Sequence, residues 1–447
     1  MLGFIGRTRA SRRSSVVLAC SALLTACSDD DRPGAWQSPI CDIRFAGCQQ
    51  AVFASTASLR GQRGEALPRV RTRTLAEIEE EFRSGGELQL DAEASAWWRA
   101  QSLLRLVPPG QEASEVSLQN FLDNAGAYYD PSNKQITIID RGTAGDATQS
   151  SFLLSHEFVH ALQDRDVDLR ALSERWVTST DSSAAVGALV EGEATVLANV
   201  VIARAMGFDA ADVDWISYTG EFLASVLSAA AASDAPLLAA AQLFVYPVGT
   251  AYLADRYIAE GQSVISQLYS QPPLSFVEWT SGAWARPSAE PQPLDCFPTT
   301  APAGYRGLDH DVLGQVGVFA AQTALGDAVS AWETSKGTRG DSVVLFVQDG
   351  DLNENTPVAL AWRIVFDSAN EAQNFRSAAE GQISPARVEV AAEREVLIRA
   401  ATDPSILDGW TLGCGRADEL PRPPEAQALR VASRFRRALW GSRLLPD

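Results

Sequence analysis

Histidine is nearly missing from this chain: there are three in 447 residues. A metal site built mainly from imidazoles therefore has very few places to form. Basic residues are also short, with 37 Lys and Arg against 56 Asp and Glu and a net charge of −19. A surface of that sign repels nucleic acid and does not suit anionic lipid. No internal repeat is present. Beyond the first two dozen residues, no run reads as long and apolar enough to span a bilayer. The alanine-rich stretch from Leu223 to Phe244 is broken by Ser, Asp and Pro and reads as buried helices. None of Cys41, Cys48, Cys296 and Cys414 has zinc-ligand spacing. The acidic charge is mixed with 46% hydrophobic residues, which separates the chain from disordered acidic tails. About 420 residues remain after a leader is set aside, more than one comfortable core, so two domains are expected.

Two of the three histidines stand together in His156-Glu157-Phe158-Val159-His160. Residues four apart share one helical face, so two imidazoles there can grip one metal ion. The glutamate between them is placed to act as a general base on metal-bound water. The flank Ser151 to Gln163 has no Gly or Pro, and Leu154, Phe158, Ala161 and Leu162 form an apolar stripe at helical spacing. Asp146 with Gln149 resembles a capping box at the start of this helix. A catalytic zinc usually takes three protein ligands and a water. The third candidate lies in Val190-Glu191-Gly192-Glu193-Ala194, on a helix expected from about Ser183 to Met206 and stopped by Gly207. Glu191 and Glu193 point to nearly opposite sides, so only one can face the metal. Ala184, Ala188, Ala194, Thr195 and Ala198 make the Glu191 face small enough for close helix approach. Glu191 is the chosen ligand, Glu193 the alternative, and His310 a more distant one. Thr195 and Asp164, each four residues after a ligand, are candidates for orienting a histidine.

The run Ala127 to Ile139, then Ser155 to Asp164, then Val190 to Thr195, resembles a family of bacterial zincin-like metallopeptidases of the gluzincin type, many of them lipoproteins. Thermolysin and the gluzincin aminopeptidases are similar at greater distance. In the aminopeptidases the ligand glutamate sits in Asn-Glu-Gly-x-Ala, which Glu191 matches. The resemblance covers residues 120 to 260 best. It implies zinc as cofactor and hydrolysis of peptide or protein substrates. Leu243 to Gly249 resembles a Phe-x-Tyr-x-x-Gly element of the same family, which makes Tyr246 the candidate donor to the oxyanion. Two departures stand out. The stretch between His160 and Glu191 is longer than in those enzymes, and a loop inserted near Asp164 to Thr180 is expected to absorb it. Relatives often carry a histidine near a Pro-Pro-x-Ser segment, and Pro272 to Trp279 has none.

The chain start reads as a targeting segment, with Arg7, Arg9, Arg12 and Arg13 ahead of an apolar Val16 to Ala22. Leu24-Thr25-Ala26-Cys27 resembles a bacterial lipobox, which implies lipidation of Cys27 and a membrane-anchored protein of the cell envelope. Ser28 points to the outer membrane over the inner. An oxidising compartment suits disulfides among Cys41, Cys48, Cys296 and Cys414. Cys41–Cys48 and Cys296–Cys414 are the preferred pairs, with other pairings open.

The expected fold class is α+β. Residues 1–26 form the signal, 27–72 a tether, 73–300 a mostly helical metallopeptidase domain with a small edge sheet, 301–420 a smaller α/β domain, and 421–447 a tail with a basic amphipathic helix over Arg430 to Leu445. Helices are expected near Leu75–Arg83 and Asp91–Leu106, and a β-hairpin over Ala127–Tyr129 and Gln135–Ile139. In the last third, a helix is expected over Leu313–Leu325 and another over Ser368–Glu380. Strands are expected at Ser342–Val347, Val358–Phe366, Ala386–Val390 and Glu395–Ala400. Asp349 to Asn355 resembles a calcium loop, but its spacing does not fit an EF-hand and a solvated hairpin loop is expected. The function expected is zinc-dependent peptide hydrolysis with Glu157 as base. Two rivals are an envelope binding protein with a structural or vestigial metal site, and a zinc amidase acting on cell-wall material.

Overall fold

The fold comes from a computed structural model. It describes residues 38–62, 66–84, 91–142, 146–281, 297–298, 300–323, 327–380, 383, 386–408, 410–411 and 414–415. Cys27, Cys296, the signal segment and the tail from 421 lie outside the described residues.

Helix α1 (Ala46–Arg60) and strand β1 (Arg69–Thr74) come first, then α2 (Leu75–Ser84), α3 (Ala92–Leu103) and α4 (Ala113–Asn124). A hairpin of β2 (Ala127–Asp130) and β3 (Gln135–Asp140) leads into α5 (Ala147–Val167), α6 (Leu169–Trp176) and α7 (Thr180–Ala205). Five more helices follow: α8 (Trp215–Ala232), α9 (Pro236–Leu243), α10 (Val245–Glu260), α11 (Gln262–Leu268) and α12 (Phe276–Thr280). The last third holds β4 (Phe297–Pro298), β5 (Tyr305–Asp311), α13 (Gly314–Thr323), α14 (Ala328–Lys336), β6 (Thr338–Gln348) and β7 (Val358–Phe366). It ends with α15 (Ala369–Ala379), β8 (Ala386–Ala392), β9 (Glu395–Ala401) and β10 (Cys414–Gly415).

Helix α7 is the axis of the molecule. Ser179 caps it through a reciprocal bond with Ser182, and Gly207, at φ 88°, takes the left-handed turn that follows its end. It is buried over nearly its whole length, and mostly apolar apart from Asp181, Glu191 and Glu193. Contrary to expectation, Thr180–Ala205 and the span Pro236–Glu260 match membrane spans in length and composition. Their apolar windows are 100% and 72% buried inside the fold, so here they act as core helices. Helix α5 starts at Asp146, whose side chain accepts from the Thr148 N–H, so its cap is a simple one without the expected Gln149 partner.

The tether expectation needs correction. Residues 46–60 and 69–74 form α1 and β1, and both are part of the body. Val52, Phe53 and Ala57 of α1 pack on the α5 stripe Leu154, Phe158, Ala161 and Leu162. The Phe53 and Phe158 rings meet edge to face at 5.1 Å. Each such buried aromatic stabilises the contact by roughly 1.5–3 kcal/mol. Strand β1 then pairs in parallel with β3, while β2 pairs with β3 in antiparallel, giving the order β1-β3-β2. The stretch after His160 is not a loop either. It is the end of α5 and the short α6, joined at Asp168, which takes φ 48° and caps α6 by accepting from the Arg170 and Ala171 N–H groups.

The last third carries a five-stranded sheet in the order β5-β6-β7-β9-β8, antiparallel throughout. Helices pack against an antiparallel sheet here, so this part is α+β and not the α/β unit expected. It shares one continuous apolar cluster with α3, α7 and α10, running from Ala96 and Leu189 to Trp362 and Ile398. Cys41 and Cys48 form a disulfide with Cα atoms 5.8 Å apart. Cys414 lies in β10, which pairs with β4 next to Cys296 in sequence.

Candidate metal centre

Helices α5 and α7 bring three ligating side chains together. His156 Nε2 lies 3.0 Å from His160 Nε2 and 3.0 Å from Glu191 Oε2, and His160 Nε2 lies 3.3 Å from the same oxygen. All three residues are buried. The edges of a tetrahedron with metal bonds of about 2.0–2.1 Å are about 3.3 Å long, close to these spacings. Two imidazoles and a carboxylate are also the donor set of a catalytic zinc site. The group fits a metal ion on both counts.

The choice between the two glutamates has a packing reason. Glu191 faces the histidines. Glu193 turns to the other side, where it pairs with Arg60 Nε at 3.0 Å and accepts from Gln163 Nε2 at 2.8 Å, from Tyr269 and from Gln262. A carboxylate so fully paired inside the protein has no reason to leave its partners. Burial pushes the Glu193 carboxyl up, but Arg60, Tyr269 and Gln163 together bring it below the ordinary range. Burial likewise pushes Glu191 up, and the facing His160 and His156 more than offset it, leaving it well below the ordinary range. The His160 ring is raised to about 9: burial opposes its charge, while Glu191 and Glu157 favour it.

Glu157 is buried beside the triad. Its carboxyl is raised, first by burial and then by Glu191, against the lowering by the two imidazoles and a bond from the Tyr129 backbone N–H on β2. Tyr246 stands on α10, half-buried, with its ring 5.9 Å from that of His156 and its phenol within the influence of the Glu191 and Glu157 carboxylates. Burial and the two glutamates hold that phenol well above its ordinary range, so it keeps its proton. A glycine pair puts it there. A Cβ on Gly192 would lie 2.5 Å from the Gly249 carbonyl carbon, so α7 and α10 touch backbone to backbone one turn from Tyr246.

Two expected orienting residues have other roles. Asp164 accepts from the Tyr129 hydroxyl at 2.8 Å, Lys134 Nζ at 2.6 Å and the Leu169 N–H, fastening α5 to the hairpin and to α6. Thr195 is buried, but its Oγ1 bonds no histidine, and His156 Nδ1 likewise has no partner. The residue that does reach a ligand is Gln163, whose Oε1 lies 2.8 Å from His160 Nδ1. Gln163 follows His160 by three residues and so shares its helical face. His310 sits in β5 opposite Val344 of β6 and does not join the group.

Comparison with protein-family models, with curated proteins and with solved structures gave no match. The site therefore stands on its own geometry.

Proposed function

We propose that this chain is a zincin-like zinc metallopeptidase, held at the bacterial cell envelope through lipidated Cys27. One observation carries the proposal: His156, His160 and Glu191 converge with Glu157 and a protonated Tyr246 beside them. His156, His160 and Glu191 would hold the zinc, which when bound supplies a water of lowered pKa and polarises the substrate carbonyl. Glu157, its basicity increased by burial, takes the proton from the attacking water and carries it to the leaving amine. The Tyr246 hydroxyl, which keeps its proton, would donate to the oxyanion. The outer edge of β2, the last strand of its sheet, would align an extended substrate by backbone pairing. A site with no catalytic use has no need of a buried base between its ligands, and this favours the enzyme over a binding protein.

The test is a chelator-sensitive assay on a mixed peptide library. Glu157→Gln is expected to lower kcat/KM by about 10²–10⁴-fold, with zinc content unchanged. Wild-type protein that is loaded with zinc and cleaves none of the library, while it opens cell-wall amide bonds, would move the reading to the amidase.

A further inference from the structure

We infer that Glu193, the glutamate that does not face the metal centre, acts through Gln163 to keep the proton of the His160 ring on Nδ1 and leave Nε2 free. The argument needs only donor and acceptor identities. One end of the Gln163 amide has three neighbours: the Val190 carbonyl at 2.9 Å, a Glu193 carboxylate oxygen at 2.8 Å and the Tyr269 hydroxyl oxygen at 2.8 Å. A carbonyl and a carboxylate can only accept. The Tyr269 hydrogen is already given to Glu193, so that hydroxyl has none left to offer the amide, and the two amide hydrogens are shared among the three oxygens. That end of the amide is therefore the NH2 group. Its carbonyl oxygen must be the atom facing His160 Nδ1 at 2.8 Å, and the ring must supply the hydrogen.

Arg60 is what keeps Glu193 an acceptor. Its guanidinium, fully buried, donates to Glu193 at 3.0 Å and to the Leu162 carbonyl at 2.8 Å, and it also bonds Asp166. Arg60 ends α1, Glu193 belongs to α7 and Gln163 to α5. The chain Arg60–Glu193–Gln163–His160 thus spans three helices, and Gln163 and Glu193 are positioning residues. His156 has no such partner on its Nδ1, so the two rings are held unequally.

The effect on zinc rests on the metallopeptidase proposal, but the tautomer does not. The metal-free protein, labelled with 15N-histidine, shows three rings, which single His→Asn replacements assign. In the neutral His160 ring, reached by raising pH until its signals stop moving, the proton is expected on Nδ1. Gln163→Met keeps the bulk of the side chain but has no acceptor. It is expected to release His160 into a mixture of tautomers, to leave His156 unchanged, and to weaken zinc binding about 10–100-fold in a competition titration with a chromophoric chelator. Glu193→Gln lets the amide turn over and is expected to give the same mixture. A wild-type His160 ring protonated on Nε2 overturns the inference, and this needs no variant to fold. So does a folded Gln163→Met protein with both the tautomer and the zinc affinity of wild type. An inactive protein whose His160 keeps Nδ1–H supports the inference and overturns only the peptidase reading.

Discussion

Replacing Gly192 by alanine sets two effects of opposite sign against each other. Inside a helix, alanine is better than glycine by about 0.8–1 kcal/mol, so a free surface would give a more stable protein. Here the new Cβ would stand 2.5 Å from the Gly249 carbonyl carbon and 2.7 Å from its Cα. Ordinary contact begins near 3.4 Å, so α7 and α10 must part by about 1 Å. Both helices are buried in one core, and overpacking of this kind costs roughly 1–3 kcal/mol or more. The net expectation is a loss of up to roughly 2 kcal/mol, the difference of the two terms. Gly220 is the control. It lies inside α8, exposed, with open space where its Cβ would be, and Gly220→Ala is expected to gain up to about 1 kcal/mol. Urea unfolding followed by circular dichroism measures both. The same parting of helices moves Tyr246 away from Glu191, and a misplacement of about 1 Å is enough to cost on the order of 10²-fold in rate. A Gly192→Ala protein as stable as Gly220→Ala would refute the close crossing, and with it the placement of Tyr246.

Other expectations follow from the same coordinates. Burial raises Asp181 to about 7 and Asp341 to about 6, with further raising by Asp341 and Glu278 at the first and by Asp311 at the second. Between pH 4 and 7 the folded chain then holds protons that the unfolded chain has released, so this contribution to stability is full in acid and is lost as pH rises through that window. Asp181→Asn should flatten the fall in unfolding free energy from pH 5 to pH 8 by roughly a few kcal/mol, and an unchanged slope would count against it. The Cys41–Cys48 bridge closes a short loop with a sequence separation of 7. Cys48→Ser should lower stability by about 2 kcal/mol more in oxidising buffer than in reducing buffer, where only the cost of the buried hydroxyl remains.

What could be seen in the sequence depended on how local the signal was. The spacing of His156 and His160 is a property of one helix and needs no partner. The small face around Glu191 pointed to a close approach to the histidine helix, while the backbone-to-backbone crossing of Gly192 with Gly249 joins α7 to α10 and was not foreseen. The hairpin of β2 and β3 and the strands β6 and β7 follow from β-branched and aromatic runs between turn residues. Helix α1 was hidden because Val52 and Phe53 find their partners about a hundred positions away on α5. The part played by Gln163 was hidden for a similar reason. Positions 163 and 164 both lie near the His160 face, and acceptors from Val190, Glu193 and Tyr269 decide which side chain turns to the ring. Asp164 is claimed by Tyr129 and Lys134, residues of the hairpin.

Calorimetric titration of metal-free protein with zinc tests the centre most directly. The structure predicts one ion bound per chain, with binding lost or weakened by several orders of magnitude in a folded Glu191→Ala variant. Wild-type protein that takes up no zinc, or a Glu191→Ala variant that binds it as tightly, would contradict the account.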